Sequence, residues 1–309
     1  MIRERRPEDD AAIAQIIREV APGWVTTERG VAHRRLTTLA KTRRQDWVAE
    51  ADGEVVAWSS GGLKTDGDRD DVAWLNVFVR PEWRRRGLGA ALYEPLEAHV
   101  LAVGAKRLLV GGADEPEARG FAERRGFRHT MTTRLSSLDP RSVDDTELAA
   151  LRAEKETEGF TLASFAAFEG SPQLIHAVDA EASLDEPADE PITDWPYDEW
   201  LLAVWEQPDL SREASFCVTL AGQPVAMAEL RLDLEGGRAA NGFTGTLRDL
   251  RGRGLASLAK LASIAWLRER GVTTLVTQND ETNAAMLAVN TRLGYVPSAT
   301  WRAYVKDLD

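Results

Sequence analysis

The sequence predicts an α/β (α+β) chain built from two successive copies of one unit, and three observations support this. The segment VFVRPEWRRRGLGAAL, from Val77 to Leu92, recurs as TGTLRDLRGRGLASLAKL from Thr244, 167 residues downstream. A second landmark, Gly126-Phe127, recurs as Gly294-Tyr295 at an offset of 168, so two points far apart in the chain repeat in step. The length of 309 residues exceeds one average domain and suits two of about 150 each.

The elements of the first unit follow from local pattern. IRERRPEDDAAIAQIIREV reads as a short strand and then a helix, with Asp9 or Asp10 at the cap and Ile13, Ile16, Ile17 and Val20 at helical spacing. A second helical stretch covers about 30 to 42. DWVAEADGEVVAWSSGGL is a hairpin around Asp52-Gly53, because two β-rich runs flank a dipeptide suited to left-handed backbone. The next strand runs from Ala73 to Val79 and the next helix from Leu88 to Val103, with Pro95 inside it removing a hydrogen bond or kinking the axis.

Residues 138–159 carry an acidic stretch and the helical LAALRAEKETEG, and read as a connector between a unit at 1–137 and a unit at 160–309. The second unit repeats the order: a strand from Phe160, a helical and loop region through Trp205, and a hairpin around Gly222. A strand near Phe243 to Leu247 follows, then a helix from Leu255 to Arg270 stopped by Gly271. EASLDEPADEPITDWPYDEW, rich in proline and carboxylate, marks a long loop. Trp195, Tyr197, Trp200 and Trp205 near it either line an acceptor pocket or belong to the core, the second being the commoner use of aromatics near a helix start.

Composition narrows the function classes. Apolar content of 43% with 28% charged residues is that of a globular protein, and no apolar run approaches a membrane-spanning length. The start MIRERRPEDD has no hydrophobic signal region, and the single Cys217 allows no internal disulfide framework, which together point to a reducing cytoplasm. The net charge of −12 disfavours nucleic acid as a partner. It is unevenly spread: residues 1–137 carry 23 Lys or Arg against 21 Asp or Glu, and the remainder 15 against 29. An acidic second half suits a cationic acceptor as well as it suits simple solubility.

In both copies a β-type run ends in an Arg- and Gly-rich turn, followed at once by a helix. Free N–H groups and the positive end of the helix dipole converge there on an anion, and glycine lets the backbone approach it closely. Arg84, Arg85 and Arg86, with Gly87, Leu88, Gly89 and Ala90, make the first turn. Arg251, Gly252, Arg253, Gly254, Leu255 and Ala256 make the second. The arginines would draw in a multiply charged anion, so the expected ligand carries a pyrophosphate. Neither the G-x-G-x-x-G spacing of a dinucleotide fold nor a G-x-x-x-x-G-K-[ST] string is present.

Both turns fit R-x-x-G-x-[GA], as Arg84, Gly87 and Gly89 and as Arg251, Gly254 and Ala256. With the second motifs EARGFAERRGFRH and NAAMLAVNTRLGY, the chain resembles the GNAT superfamily of N-acetyltransferases in two nearly complete copies. Its tandem layout is similar to that of the mycothiol synthases. The resemblance implies two mixed, mostly antiparallel sheets flanked by helices, each with two splayed central parallel strands. It implies acetyl-CoA as cosubstrate and no metal, and the four histidines, His33, His99, His129 and His176, have no metal-ligand spacing. The acceptor it implies is the primary amine of a small molecule, taken up by a monomer or homodimer.

By the same resemblance, backbone of Val77, Phe78 and Val79, or of Thr244, Gly245 and Thr246, would hold the pantetheine arm and the thioester carbonyl, and Asn283 would contact that arm. The tyrosine that commonly protonates the departing thiolate is replaced by Asn290 in the second copy and Ala122 in the first, where Glu115 stands in place of Asn283. Glu229, on the strand before the second turn's strand, is the candidate general base, the alternative being a solvated strand residue. Asn76 stands in the first copy where some relatives carry a carboxylate. The resemblance therefore favours the second unit as catalyst and the first as a degenerate partner that still holds CoA. A non-catalytic acyl-CoA sensor is the rival reading, because both tyrosines are missing.

Overall fold

The computed structural model describes residues 1–190 and 195–308. It divides into two compact units, one of residues 1–133 with 299–309 and one of residues 134–298. These bounds differ from the spacing-based division in two respects: the last strand ends in the first unit, and residues 138–159 pack as an integral part of the second.

In the first unit, β1 (Ile2–Glu4) pairs antiparallel with β2 (Gln45–Ala51). Between them lie α1 (Asp10–Val20) and α2 (Glu28–Thr37). α1 forms where its apolar spacing predicts, with Ile13, Ile16 and Ile17 buried against Val48, Trp58 and Phe78. Asp9 accepts from the Arg6 backbone N–H at 2.6 Å, closing the start of this segment. α2 stops at Thr37, earlier than its pattern suggested, and a separate 3-10 turn covers Ala40–Thr42.

β2 and β3 (Glu54–Leu63) form the expected hairpin, whose turn residues Asp52 and Gly53 both have positive φ, at 53° and 85°. β3 pairs with β4 (Val72–Val79) in unbroken register. α3 (Leu88–Ala102) leads to β5 (Arg107–Ala113), which runs parallel to β4. Pro95 in α3 has no N–H to give the Ala91 carbonyl. α4 (Pro116–Glu123) and β6 (Arg128–Leu138) follow. The remaining edge of β5 is paired antiparallel by Trp301–Asp307 of β12 (Val296–Asp307). Trp301 packs with Trp24 and Phe78, so the end of the chain completes this unit's core.

In the second unit, α5 (Thr146–Thr157) packs Leu148 and Leu151 into the core, which is why the supposed connector belongs to the fold. β7 (Phe160–Ser164), β8 (Phe216–Leu220), β9 (Gln223–Asp233) and β10 (Arg238–Thr246) form an antiparallel run, with α6 (Gln173–Ser183) and α7 (Tyr197–Trp200) between β7 and β8. The stretch from Pro191 to Asp194, read above as loop, lies outside the described residues. α8 (Leu255–Glu269), β11 (Thr274–Asp280), parallel to β10, and α9 (Ala284–Arg292) complete it.

Helices cover both faces of this sheet. Leu230, Ala239 and Leu261 share a core on the α8 face, and Met227, Ile175 and Trp200 share another on the α6 face. Because side chains alternate along β9, Glu229 and Arg231 project with Met227 toward α6. Trp200 and Trp205 are buried in that second core, with Trp195 and Tyr197 packed against it. Trp200 and Trp205 are therefore core residues, whereas Trp195 and Tyr197 are half-buried at its edge.

Candidate functional site

The two Arg-Gly turns have the same backbone path. In each a single 3-10 turn, Pro81–Trp83 or Arg248–Leu250, gives way to an extended arginine, Arg84 (φ −66°, ψ 163°) or Arg251 (φ −65°, ψ 159°). The next residue is left-handed, as Arg85 at φ 63° or Gly252 at φ 75°. The helix start is left-handed again, as Gly87 at φ 82° or Gly254 at φ 78°. Neither α3 nor α8 has a side-chain cap, so the first-turn N–H groups of both helices remain available to an anion. A Cβ at Gly87 or Gly252 would meet no atom within 4 Å, so open space faces the turn.

The arginines do more than attract a ligand. Arg84 Nε donates to the Val79 carbonyl at 3.2 Å and Arg251 Nε to the Thr246 carbonyl at 3.1 Å, so each ties its turn to the end of the preceding strand. Carboxylates that the sequence reading did not foresee engage them as well. Arg84 meets Glu115 at 2.7 Å, Arg85 meets Glu117 at 3.2 Å, Arg251 meets Asp185 at 2.7 Å, and Arg253 meets Glu158. Arg86 lies over the Trp83 ring at 4.5 Å. Gly89 is not required by packing, since a Cβ there would only reach ordinary contact with the Phe121 ring of α4 at 3.4 Å, and the second turn has Ala256 in its place. Phe78 and Leu255 bury their side chains and so offer only backbone to a ligand, while Leu88 is half-buried beside Ala49 and Ala57.

Beyond the turns, the parallel pairs open. β4 and β5 are registered from Val72↔Arg107 to Leu75↔Val110 and no further, although β4 continues to Val79 against β3. β10 and β11 are registered only to Ala240↔Val276, while Thr244, Gly245 and Thr246 continue against β9. The edge from Val77 to Val79, or from Thr244 to Thr246, therefore has no parallel strand beside it among the described residues, and its last carbonyl is met by Arg84 or Arg251 instead. That is the geometry needed to hold an extended amide-bearing arm.

The units differ at one point of this cleft. β10 has a register shift between Asn241 and Thr244, a bulge that sequence reading missed, whereas β4 has none. At the bulge a Cβ on Gly242 would overlap the Glu229 carboxylate, lying 2.6 Å from its Cδ. Glu229 is 2% exposed, which overturns the reading of it as a solvated residue, and its Oε1 accepts from Arg231 Nε at 2.8 Å. The strand registers place Ser60, buried and with its Oγ unpartnered, at the matching position of the first unit.

Asp179 of α6 faces the same carboxylate. Burial, reinforced by the Glu229 charge, pushes its carboxyl up to about 7. Trp200 Nε1 donates to Asp179 Oδ2 at 2.7 Å, and Oδ1 has no partner. On the opposite face of β10, Asn241 Oδ1 accepts from Tyr295 Oη at 2.6 Å and from Lys260 Nζ at 3.1 Å, which fixes the last regular residue before the bulge. Burial pulls the Lys260 ammonium down to about 7.

In the second motif, Asn283 Oδ1 caps α9 by accepting from the Met286 N–H at 3.1 Å. Asn290, where the family tyrosine would stand, is buried and donates to Asn279 Oδ1 at 2.6 Å. In the first unit Glu115 makes no cap and pairs with Arg84 instead, while Ala122 is part of the core. Among the described residues there is no group of three or more metal-ligating side chains, and no helix is long and apolar enough to cross a membrane.

Comparison with known proteins agrees with this geometry. A model of the Acetyltransferase (GNAT) family matches residues 12–127 and again residues 176–295. A tandem GNAT protein from the clavulanic acid biosynthesis pathway, solved without acetyl-CoA, superposes with a TM-score of 0.72 at 18% identity, covering 99% of this chain and 98% of that one. A GCN5-related N-acetyltransferase from Sphaerobacter thermophilus superposes with a TM-score of 0.67 at 19% identity, over 99% of this chain and 95% of that one. Identities this low speak for the fold alone; the two family matches, which span most of the chain, carry the assignment. The chain belongs to the GNAT acetyltransferase family, with two GNAT domains in tandem, and is an acyltransferase.

Proposed function

We propose that the second unit is the catalyst, transferring the acetyl group of acetyl-CoA to a primary amine of a small molecule by direct attack within a ternary complex, with the first unit a degenerate partner that still holds CoA. The observation that carries this is the contact between Glu229 and Gly242, which sets a carboxylate at the β10 bulge in the second unit only.

Acetyl-CoA supplies an activated thioester; everything else is the work of the chain. The turn at Arg251, Gly252, Arg253 and Gly254 holds the diphosphate. The open edge of Thr244, Gly245 and Thr246 orients the pantetheine arm, with Asn283 at the start of α9 beside it. Backbone exposed at the bulge polarises the carbonyl. Glu229 accepts the proton of the incoming amine, and Arg231 holds its carboxylate in place. With Asn290 in place of the tyrosine, the CoA thiolate leaves unassisted, which its pKa near that of cysteine, about 8.5, permits.

The test is to follow free thiol while purified protein and acetyl-CoA meet a panel of small amines, with wild type beside Glu229→Gln. Thiol release lost in Glu229→Gln with CoA affinity retained supports the proposal. CoA binding without thiol release across the panel supports instead a non-catalytic acyl-CoA sensor, the reading that the missing tyrosines favour.

A further inference from the structure

We propose that the first unit contains a second anion site, remote from its CoA turn, that takes a phosphate-bearing small molecule. The segment HRRLTTLAKTRR, residues 33–44, carries Arg34, Arg35, Lys41, Arg43 and Arg44 and no acidic residue, in a chain of net charge −12. It folds into the end of α2, the 3-10 turn at Ala40–Thr42 and the approach to β2. There it borders an open surface cavity of about 340 Å³ lined by Arg5, Arg35, Thr38, Arg43, Arg44 and Asp46.

Charge in this cavity is unbalanced. Asp10 holds Arg5 at 2.6 Å and Arg35 at 3.1 Å, and Asp46 holds Arg5 at 2.8 Å and Arg44 at 3.1 Å. Four guanidinium groups thus share two carboxylates, of which Asp46 lines the cavity, and among the described residues Arg43 has no carboxylate within ion-pair distance. The Arg5 side chain is 2% exposed and its Nε has no acceptor. Gathering guanidinium groups against too few carboxylates is costly, and an oxyanion in the cavity would offset the surplus positive charge.

The floor of the site is rigid. Arg43 is left-handed at φ 49°, and its carbonyl meets His99 Nε2 at 2.6 Å. A Cβ on Gly62 would lie 2.6 Å from the Thr42 carbonyl oxygen, so the loop rests directly on β3. Asp10, Asp46 and Thr38 engage the Arg5, Arg35 and Arg44 donors, so the planar fork of Arg43 is the group placed to meet two phosphate oxygens at once, a geometry a chloride cannot use. The volume exceeds that of a bare ion and suits a small phosphate ester. His99 lies near the end of α3 and the CoA turn at its start, about three turns or roughly 16 Å away, so one CoA diphosphate cannot serve both.

The experiment is calorimetry on the full chain with both CoA turns first saturated with CoA. Inorganic phosphate, glycerol 3-phosphate and succinate are titrated in turn, against wild type and Arg43→Asn, a change that keeps a residue tolerant of left-handed backbone. We expect one site per chain, glycerol 3-phosphate at least as tight as phosphate and both tighter than succinate, and binding about tenfold weaker in Arg43→Asn at unchanged melting temperature. Phosphate tighter than the ester would assign the site to the free ion instead. Heat that vanishes once CoA is bound, no heat from either phosphate probe, or equal affinity in Arg43→Asn would each overturn the proposal; Arg43→Gln provides the same comparison if the Asn variant folds poorly.

Discussion

The carboxylate of Glu229 occupies the space that a side chain at Gly242 would need, and it does so at the one irregular point of β10. A base and a distorted strand are therefore a single feature: the bulge makes room, and the glycine keeps it.

Gly242→Ala tests that coupling. The new methyl group must displace the Glu229 carboxylate by more than an ångström, and misplacement on that scale lowers kcat roughly 100-fold. Because Glu229 is buried and bonded to Arg231, the melting temperature should fall as well, and an unchanged CoA affinity separates the loss of kcat from unfolding. A variant with near-normal kcat would mean that the position of Glu229 does not matter to turnover.

Glu115 in the first unit competes with a diphosphate for Arg84, at 2.7 Å. The second unit has Asn283 at the equivalent place, uncharged and engaged in capping α9. Glu115→Asn should raise the CoA affinity of the first unit several-fold with little effect on stability, because a half-exposed ion pair contributes about 1 kcal/mol or less. Calorimetric stoichiometry checks it, and a second CoA site no tighter than in wild type counts against the idea.

Much of this layout is legible in the residues themselves. The paired glycines at Gly87 and Gly254 fall where left-handed backbone is needed, and Asp52-Gly53 and the spacing of Ile13, Ile16 and Ile17 announce their hairpin and helix. What local pattern could not show depends on partners distant in sequence. The bulge arises from the register of β10 against β9, and the first half of β10, Arg238 to Asn241, lacks the β-branched residues that would mark a strand. Asp179 meets Glu229 only because α6 crosses β9, and the carboxylates on the turn arginines come from other elements. The aromatics of 195–205 are ambiguous in sequence because core and pocket use the same residue types, and burial decides for Trp200 and Trp205.

Asp179 carries a pH signature. Its carboxyl moves from an ordinary 3.8 to about 7 on folding, so the folded chain binds the extra proton between those values. Stability therefore falls as pH rises from about 4 to about 7, by up to about 4 kcal/mol, and levels off above. Asp179→Asn keeps an acceptor for Trp200 Nε1 and removes the titration. The variant should gain stability relative to wild type at pH 8 compared with pH 5, measured by urea unfolding. Parallel pH profiles for the two proteins would show that Asp179 is ionised in the fold at neutral pH.

Lys260 gives the opposite slope. Its ammonium is pulled from an ordinary 10.5 down to about 7 by burial, and its hydrogen-bond acceptor is the neutral Asn241 Oδ1. Between those values the unfolded chain holds a proton that the folded chain does not. Stability is full above about pH 10 and is lost as pH falls toward 7, by up to about 5 kcal/mol. Lys260→Met fills similar volume without the charge, and Tyr295 Oη still holds Asn241 Oδ1 in the variant. The substitution should therefore raise the melting temperature at pH 7 and much less at pH 10. Equal shifts at the two pH values would mean that Lys260 acts by shape alone. A loss of stability at pH 7 would mean that its bond to Asn241 outweighs the burial of its charge, making the lysine a support of the bulge.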